Sequence, residues 1–294
     1  MPGKLKIVLT NRQAQKYLLK AFAKSLIDQY QWIKVGVLRA IGVVDFPVPP
    51  NSRMRGTSSH TIRHYYESGL TTTLPIVTAA QIDGVDLRFP ANVLDFGCGV
   101  GRQLLQMTRF FSHLKVFACD VNSRSMDFIQ RAYPKVESYT SAFFPPLKYA
   151  DKQFDLIYSV SIFSHLNVRD QEVWLRELAR ITRPGGLCCL TVLGVHAMEL
   201  RAKDPAGNAP ADWRNLLKEK GYYYEGSAKP EHIKAAEEIW NIGSNVIGID
   251  EDYGVIYFSE EFIRQHWNNS EFELTQYVPG IIDHLQDLVM LKRR

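Results

Sequence analysis

Between residues 88 and 193, short apolar runs alternate with stretches in which apolar positions recur every three or four residues. The runs near 92–96, 114–119, 136–140, 154–159 and 187–193 have the length and continuity of buried strands, whereas 101–111, 123–132 and 170–181 have helical periodicity. Strands that alternate with helices predict a parallel sheet with crossover helices on both faces. Arg183-Pro-Gly-Gly186 supplies the stop between the last of these helices and the fifth strand, since neither Pro nor Gly readily extends a helix.

The flanks read differently. Tyr17, Leu18, Phe22, Leu26 and Tyr30 fall on one helical stripe, with Lys16, Lys20 and Lys24 on a neighbouring one, which predicts a basic amphipathic helix. Pro47, Pro49 and Pro50, followed by the polar stretch Asn51 to Ser59, mark a loop or linker. A second amphipathic stretch then begins near His60 and carries Ile62, Tyr65, Tyr66 and Leu70. Residues 1–87 therefore read as an N-terminal helical extension, and 88–294 as the main domain. After Leu193 a polar, aromatic-rich region runs to about residue 257, with helices expected at Asp212–Lys220 and Glu231–Ile242. That is long for a plain connection, so 194–257 is expected to be a lid or substrate-recognition insertion. Ser259, with Glu260 and Glu261 behind it, has the form of a helix N-cap, and apolar runs return near Phe272–Val278 and Asp287–Leu291.

Composition narrows the class. The chain has 294 residues, 46% of them hydrophobic, which suffices for one sizeable core with additions. It has no apolar run approaching the roughly 18 residues of a membrane span and opens on no signal-like segment, so a cytoplasmic location is expected. Cys98, Cys119, Cys188 and Cys189 lack paired metal-ligand spacing and read as reduced core thiols, the last two pointing to opposite faces of one strand. No metal site is expected. The net charge of +4 implies no nucleic-acid partner by itself, but residues 1–44 hold eight Lys or Arg against the single acid Asp28. Such an arm suits a helix packed on the main domain, a peripheral membrane contact or a nucleic-acid contact, and composition does not choose among them.

The chemistry concentrates in Asn92-Val-Leu-Asp-Phe-Gly-Cys-Gly-Val-Gly-Arg102, an apolar run that ends in a carboxylate and then a Gly-x-Gly-x-Gly turn. Glycines there let the backbone adopt conformations other residues avoid and bring a ligand against the main chain at the mouth of a helix. Asp95 would repel a diphosphate in that loop and suits a ligand with an ammonium group and no phosphate. Asp120 closes the next apolar run at the offset, about 20 residues, expected of a ribose-binding acid.

With these segments stand Phe154-Asp-Leu-Ile-Tyr-Ser-Val-Ser-Ile-Phe-Ser-His-Leu166 and Leu178-Ala-Arg-Ile-Thr-Arg-Pro-Gly-Gly-Leu187. In this order the four resemble the class I S-adenosylmethionine-dependent methyltransferases, over roughly residues 88–193. The resemblance implies a Rossmann-like doubly wound α/β sheet, mostly parallel, with an antiparallel edge pair from the C-terminal runs. It implies S-adenosylmethionine as cofactor. The backbone from Asp95 and Phe96 through Gly97, Cys98, Gly99 and Gly101 would approach the methionine portion, Asp95 serving its ammonium. Asp120 would accept from the ribose hydroxyls, Val121 and Asn122 would border the adenine, and Ser141, Ala142, Phe143, Ser159 and Val160 would complete the pocket. Many members of the family place an acid after the third strand to meet the adenine amino group, and Tyr139-Thr-Ser-Ala-Phe143 has none.

Methyl transfer needs alignment first and a base only where the acceptor must lose a proton. His165 and His196, just beyond the fourth and fifth strands, are the candidate bases. Tyr65 and Tyr66 are candidates for core packing, a cofactor lid or an acceptor wall, and Arg102 for an ion pair within the fold or an anionic acceptor. The expected activity is methyl transfer to a small or medium-sized acceptor, such as a sugar hydroxyl or secondary metabolite, with no nucleic-acid partner. The competing reading is a non-catalytic module of the same fold acting on a membrane or protein through its basic helix. A nicotinamide-dependent oxidoreductase is disfavoured by Asp95 and the compact glycine spacing.

Overall fold

The computed structural model describes residues 33–40, 42–54, 61–204, 209–226 and 254–294. The basic amphipathic helix expected around Tyr17–Tyr30, and the helix expected at Glu231–Ile242, lie outside the described residues. Residues 33–40 are helical, and a second short helix, Asn51–Met54, forms where the sequence suggested only a linker. Its register starts directly after Pro50, whose carbonyl accepts from the Arg53 and Met54 amides. Burial of Met54 in the core anchors it.

The remaining elements run α1 (Ile62–Ile82), β1 (Asn92–Phe96), α2 (Arg102–Phe110), β2 (Lys115–Asp120), α3 (Ser123–Ala132), β3 (Glu137–Thr140), β4 (Phe154–Ser159), α4 (Val168–Ile181) and β5 (Thr182–Val192). They continue with α5 (Val195–Lys203), α6 (Trp213–Lys220), β6 (Tyr222–Gly226), β7 (Gly254–Phe258), α7 (Glu260–His266), β8 (Phe272–Ile282) and β9 (Gln286–Arg293). The strands β3-β2-β1-β4-β5-β9-β8 form one seven-stranded sheet, parallel except for β9 and β8. This is the expected Rossmann-like α/β architecture with its antiparallel edge pair. Strand order reverses between β1 and β4, which opens a crevice at their carboxyl ends.

Alternation along each strand sorts the core into two layers. Val93, Tyr158 and Cys189 pack with α1, α2 and α3 on one face. Leu94, Ile157 and Cys188 pack with α4, α7 and β7 on the other, so the adjacent cysteines do point to opposite faces. β5 starts five residues before the apolar run because Thr182 already pairs with Phe154, and Arg183 to Gly186 form an irregularity before pairing resumes at Leu156↔Leu187. The region after β5 holds an antiparallel pair, β6 with β7, that periodicity did not suggest; Leu193 bridges to Tyr257 and ties this pair to the end of β5. Tyr257, Trp213 and Met198 gather α5 and α6 into a small core of their own. Among the described residues no helix is long and apolar enough to cross a membrane.

Helix α1 decides how the crevice is closed on one side. Gly69 lets it approach the main chain at the start of α2, since a Cβ there would lie 2.4 Å from the Arg102 carbonyl oxygen. Replacing a mid-helix glycine by alanine ordinarily stabilises a helix by about 1 kcal/mol. Here the obstacle is backbone, so Gly69→Ala is expected to destabilise the protein by about 2 kcal/mol or more. Urea unfolding of the two proteins measures this, and a stabilised variant would contradict the packing.

Candidate functional site

The loop after β1 is built from main-chain hydrogen bonds. The amides of Gly97 and Cys98 both donate to the Cys119 carbonyl at the end of β2, at 2.9 and 3.1 Å. The Gly99 amide donates to Asp120 Oδ2 at 2.8 Å, and the Asn122 amide donates to Oδ1 at 2.7 Å. Asp120 thereby clamps the loop to the end of β2 with one lone pair of each oxygen, and each oxygen retains acceptor capacity. Gly97 and Gly101 hold φ values of +77° and +79°. A Cβ on either would also collide, with Ile162 at 2.5 Å and with Ile129 at 2.7 Å respectively.

From the α1 side, the fully buried Tyr65 places its hydroxyl 3.0 Å from the carbonyl oxygens of both Val100 and Gly101 and donates to them. Tyr65 is therefore a brace beneath the loop rather than a lid or an acceptor wall. Tyr66 packs against the ring of Phe46 and the core. The Cys98 side chain turns inward toward Met126, leaving only its backbone at the loop surface.

Asp95 lies at the floor of this arrangement. It is 2% exposed and its Oδ2 has no hydrogen-bond partner; the hydroxyl of Tyr158, its register partner on β4, also has none. Burial pushes the Asp95 carboxyl up to about 8; Tyr158 and Arg102 pull against this, and the Asp120 charge adds to it. Asp120 is raised as well, chiefly by burial and against its two backbone donors. An unpartnered buried carboxylate costs free energy unless a cation meets it.

The other expected site residues divide into two groups. Phe96 is buried in the core layer of Leu94 and Ile157, and Val121 and Asn122 follow directly on β2. The Asn122 side chain is engaged as the N-cap of α3, accepting from the Ser125 amide. The Ser141 amide donates to the Asp120 carbonyl, which brings the segment after β3 alongside; Ala142 is exposed and Phe143 half-buried. Ser159 is fully buried with an unpartnered hydroxyl, and Val160 packs on the core layer of Val93 and Tyr158. The two histidines are held by different elements. His165 Nδ1 lies 3.0 Å from the Gly254 carbonyl on β7, and burial lowers the basicity of the ring. His196 Nε2 lies 3.1 Å from the His284 carbonyl in the β8–β9 turn.

Sequence reasoning missed three features. Tyr158 becomes a neighbour of Asp95 only through the β1–β4 register. Ser161, Thr191 and Gln286 form a closed ring: the Ser161 amide and hydroxyl bond Thr191 Oγ1 (2.8 Å) and Gln286 Nε2 (2.6 Å), and Thr191 donates to Gln286 Oε1 (2.6 Å). Asp283 in the same turn faces Arg102. Separations of 30 to 125 residues within the ring leave no local signal for it.

Comparison with known proteins agrees with this geometry. Residues 93–186 match a family model described as a methyltransferase domain. The chain is 34% identical over 110 residues to a fatty-acid O-methyltransferase of Mycolicibacterium smegmatis, covering 37% of this chain and 38% of that protein. It is 25% identical over 127 residues to the tRNA N(3)-methylcytidine methyltransferase Mettl2 of Drosophila melanogaster, covering 40% and 39%. The matches span about two-fifths of the length of these relatives. A putative S-adenosylmethionine-dependent methyltransferase of Listeria monocytogenes shares the fold at 14% identity, with a TM-score of 0.50 over 74% of this chain and 96% of that one. The segment from β1 into β5 is thus a domain of the class I S-adenosylmethionine-dependent methyltransferase family. S-adenosylmethionine is the cofactor of that family.

The Asp95 shift has a measurable consequence for the cofactor-free protein. In the unfolded chain this carboxyl ionises near 3.8, while in the folded one it stays protonated to about 8. Asp95 therefore lowers stability as pH rises through that window, with a slope of up to about 1.4 kcal/mol per pH unit, and contributes no slope outside it. Asp95→Asn is expected to flatten the slope and raise stability at pH 7. Urea unfolding from pH 4 to 8 measures this, and identical pH profiles would refute the assignment.

Proposed function

We propose that this chain binds S-adenosylmethionine over the glycine loop and transfers its methyl group to an oxygen of a small or medium-sized acceptor, such as a sugar hydroxyl or a hydroxylated secondary metabolite. One observation carries the cofactor reading: the buried Asp95 carboxylate has an oxygen without a partner where an ammonium would neutralise it. The left-handed Gly97, whose Cβ space is filled by Ile162, fits a loop that must keep its own main chain uncovered. The name of the Mycolicibacterium smegmatis relative supports an oxygen acceptor.

In this reading Asp95 takes the cofactor's ammonium, and the remaining lone pairs of Asp120 accept from the ribose hydroxyls. Phe96, Gly97, Cys98, Gly99 and Gly101 contribute backbone to the methionine end. Val121, Asn122, Ser141, Ala142 and Phe143 border the adenine, and Ser159 and Val160 the methionine chain. Bound there, S-adenosylmethionine would supply an activated methyl group on a sulfonium, with the neutral thioether as leaving group. The protein then has to align the acceptor and remove its proton. Either histidine can do the second. A carbonyl can only accept, so His165 donates from Nδ1 to Gly254, and burial disfavours the protonated ring. His196 donates from Nε2 to His284.

Calorimetric titration with S-adenosylmethionine tests the cofactor site, and Asp120→Ala is expected to weaken binding about tenfold or more. No binding by the intact chain would overturn the proposal. With labelled methyl donor and a panel of hydroxylated acceptors, His165→Gln or His196→Gln is expected to lower kcat by about 10²-fold or more at unchanged cofactor affinity, whichever residue is the base.

A further inference from the structure

The Arg102 guanidinium is a cation without an adequate counter-ion. Its side chain is 11% exposed, its nearest carboxylate is Asp283 Oδ2 at a loose 3.8 Å, and its Nε has no partner. The same Nη1 that faces Asp283 donates to the Ser68 hydroxyl at 3.4 Å. Burial lowers the basicity of Arg102, with Asp283, Tyr65 and Asp95 pulling the other way. Arg102 follows directly on the loop whose floor is Asp95, so a guanidinium with an unpartnered Nε and a carboxyl group with an unpartnered oxygen are buried at the same loop without pairing with each other. That arrangement complements a zwitterion.

Asp283 belongs to the turn joining β8 to β9, which the pairing of Val192 with Asp287 places at the carboxyl edge of the parallel strands. Its backbone is left-handed, with φ of +50°, and its carboxylate is 38% exposed. It accepts from Thr71 Oγ1 on α1 at 3.0 Å and lies 3.5 Å from Thr72 Oγ1. The hydroxyls hold Asp283 in position beside Arg102, and no bidentate pair forms.

We propose that Arg102 is the receptor for the carboxylate of the cofactor's amino-acid end, and that Asp283 is an internal substitute which that carboxylate displaces. The assignment rests on the S-adenosylmethionine reading above. Arg102 presents Nε and its Nη groups as a planar fork, the geometry that a carboxylate satisfies bidentately and that Asp283 at 3.8 Å does not. Asp95 beside it takes the ammonium of the same amino-acid group, which favours the cofactor over an acidic acceptor as the source of the carboxylate. Exchange of one carboxylate for another keeps the charge balance and releases the β8–β9 turn from Arg102. The released turn carries the exposed Leu285, and His284, whose carbonyl holds His196. Cofactor binding would in this way be communicated to the side of the crevice where a candidate base is held.

Calorimetric titrations of the full chain with S-adenosylmethionine and with its decarboxylated analogue, on wild type, Arg102→Met and Asp283→Asn, test the proposal. For Arg102→Met the expected result is a loss of about tenfold or more with S-adenosylmethionine and less than about twofold with the decarboxylated compound. Asp283→Asn, which keeps the shape of the turn, is expected to bind S-adenosylmethionine about threefold or more tightly than wild type and the analogue unchanged. An equal loss of both ligands in Arg102→Met would make Arg102 structural and overturn the carboxylate assignment. Unchanged affinity for both in that variant would overturn it too, and loss of octanoate binding there would then identify an acceptor's carboxylate as the ligand. Unchanged or weaker binding by Asp283→Asn would overturn the exchange. Wild-type protein that binds neither nucleoside would instead refute the cofactor reading on which the proposal stands.

Discussion

The structure depends on one backbone constraint: residues 97–101 must turn from β1 into α2 through left-handed glycines, and they are held there by neighbours rather than by side chains of their own. β2 supplies the Cys119 carbonyl and the Asp120 carboxylate, α1 supplies the Tyr65 hydroxyl, α3 supplies Ile129, and the segment after β4 supplies Ile162. Elements from four parts of the chain converge on five residues. The left-handed conformations at Gly97 and Gly101 are therefore enforced from outside, and there is no room for side chains that would disfavour them.

Around that fixed loop the protein tolerates unfavourable electrostatics. Asp95 is buried with an unpartnered oxygen, Arg102 is buried with an unpartnered Nε, and Tyr158 and Ser159 contribute two more orphaned hydroxyls. Each would be better hydrogen-bonded or replaced by an apolar group if stability alone mattered. Their concentration at the topological switch point, with large apolar layers on both sides, locates the cost where a ligand can offset it. The same layers absorb the α1 brace: Ile76, Ala79 and Ala80 continue the core that Val93 and Tyr158 begin.

The segments that follow β5 are built on different terms. α5, α6, β6 and β7 form a small core centred on Tyr257 and Trp213, and the β8–β9 turn reaches over the carboxyl edge to α1. These segments join the sheet through few links, notably the bridge from Leu193 to Tyr257 and the ring of Ser161, Thr191 and Gln286. A methyltransferase core accommodates such additions because the chemistry asks it chiefly for alignment. The relatives found, named for fatty-acid and tRNA substrates, share the core and differ in what they act on.

Much was legible in the chain itself. Strands β1 and β4, helix α3 and the Ser259 cap fall where apolar period and capping residues put them, because those signals are local and the burial they describe is one-sided or complete. The glycine loop with Asp95 and Asp120 was legible for the same reason: a strand end, a turn and a helix start lie within a few residues. The β6–β7 pair and the helix at Asn51–Met54 were not, since short elements take their stability from tertiary partners rather than from periodicity. Nor were the roles of single residues. Tyr65 reads on paper as a core, lid or wall residue and in space is a buried brace under the loop; Arg102 reads as one end of an ion pair, and its partner Asp283 lies 181 residues away and 3.8 Å off. The sequence by itself determined which residues carry charge and where the backbone must be free. Only the tertiary structure decided which charges go unpaired, because that depends on contacts between residues as far apart as Arg102 and Asp283, and no local pattern encodes them.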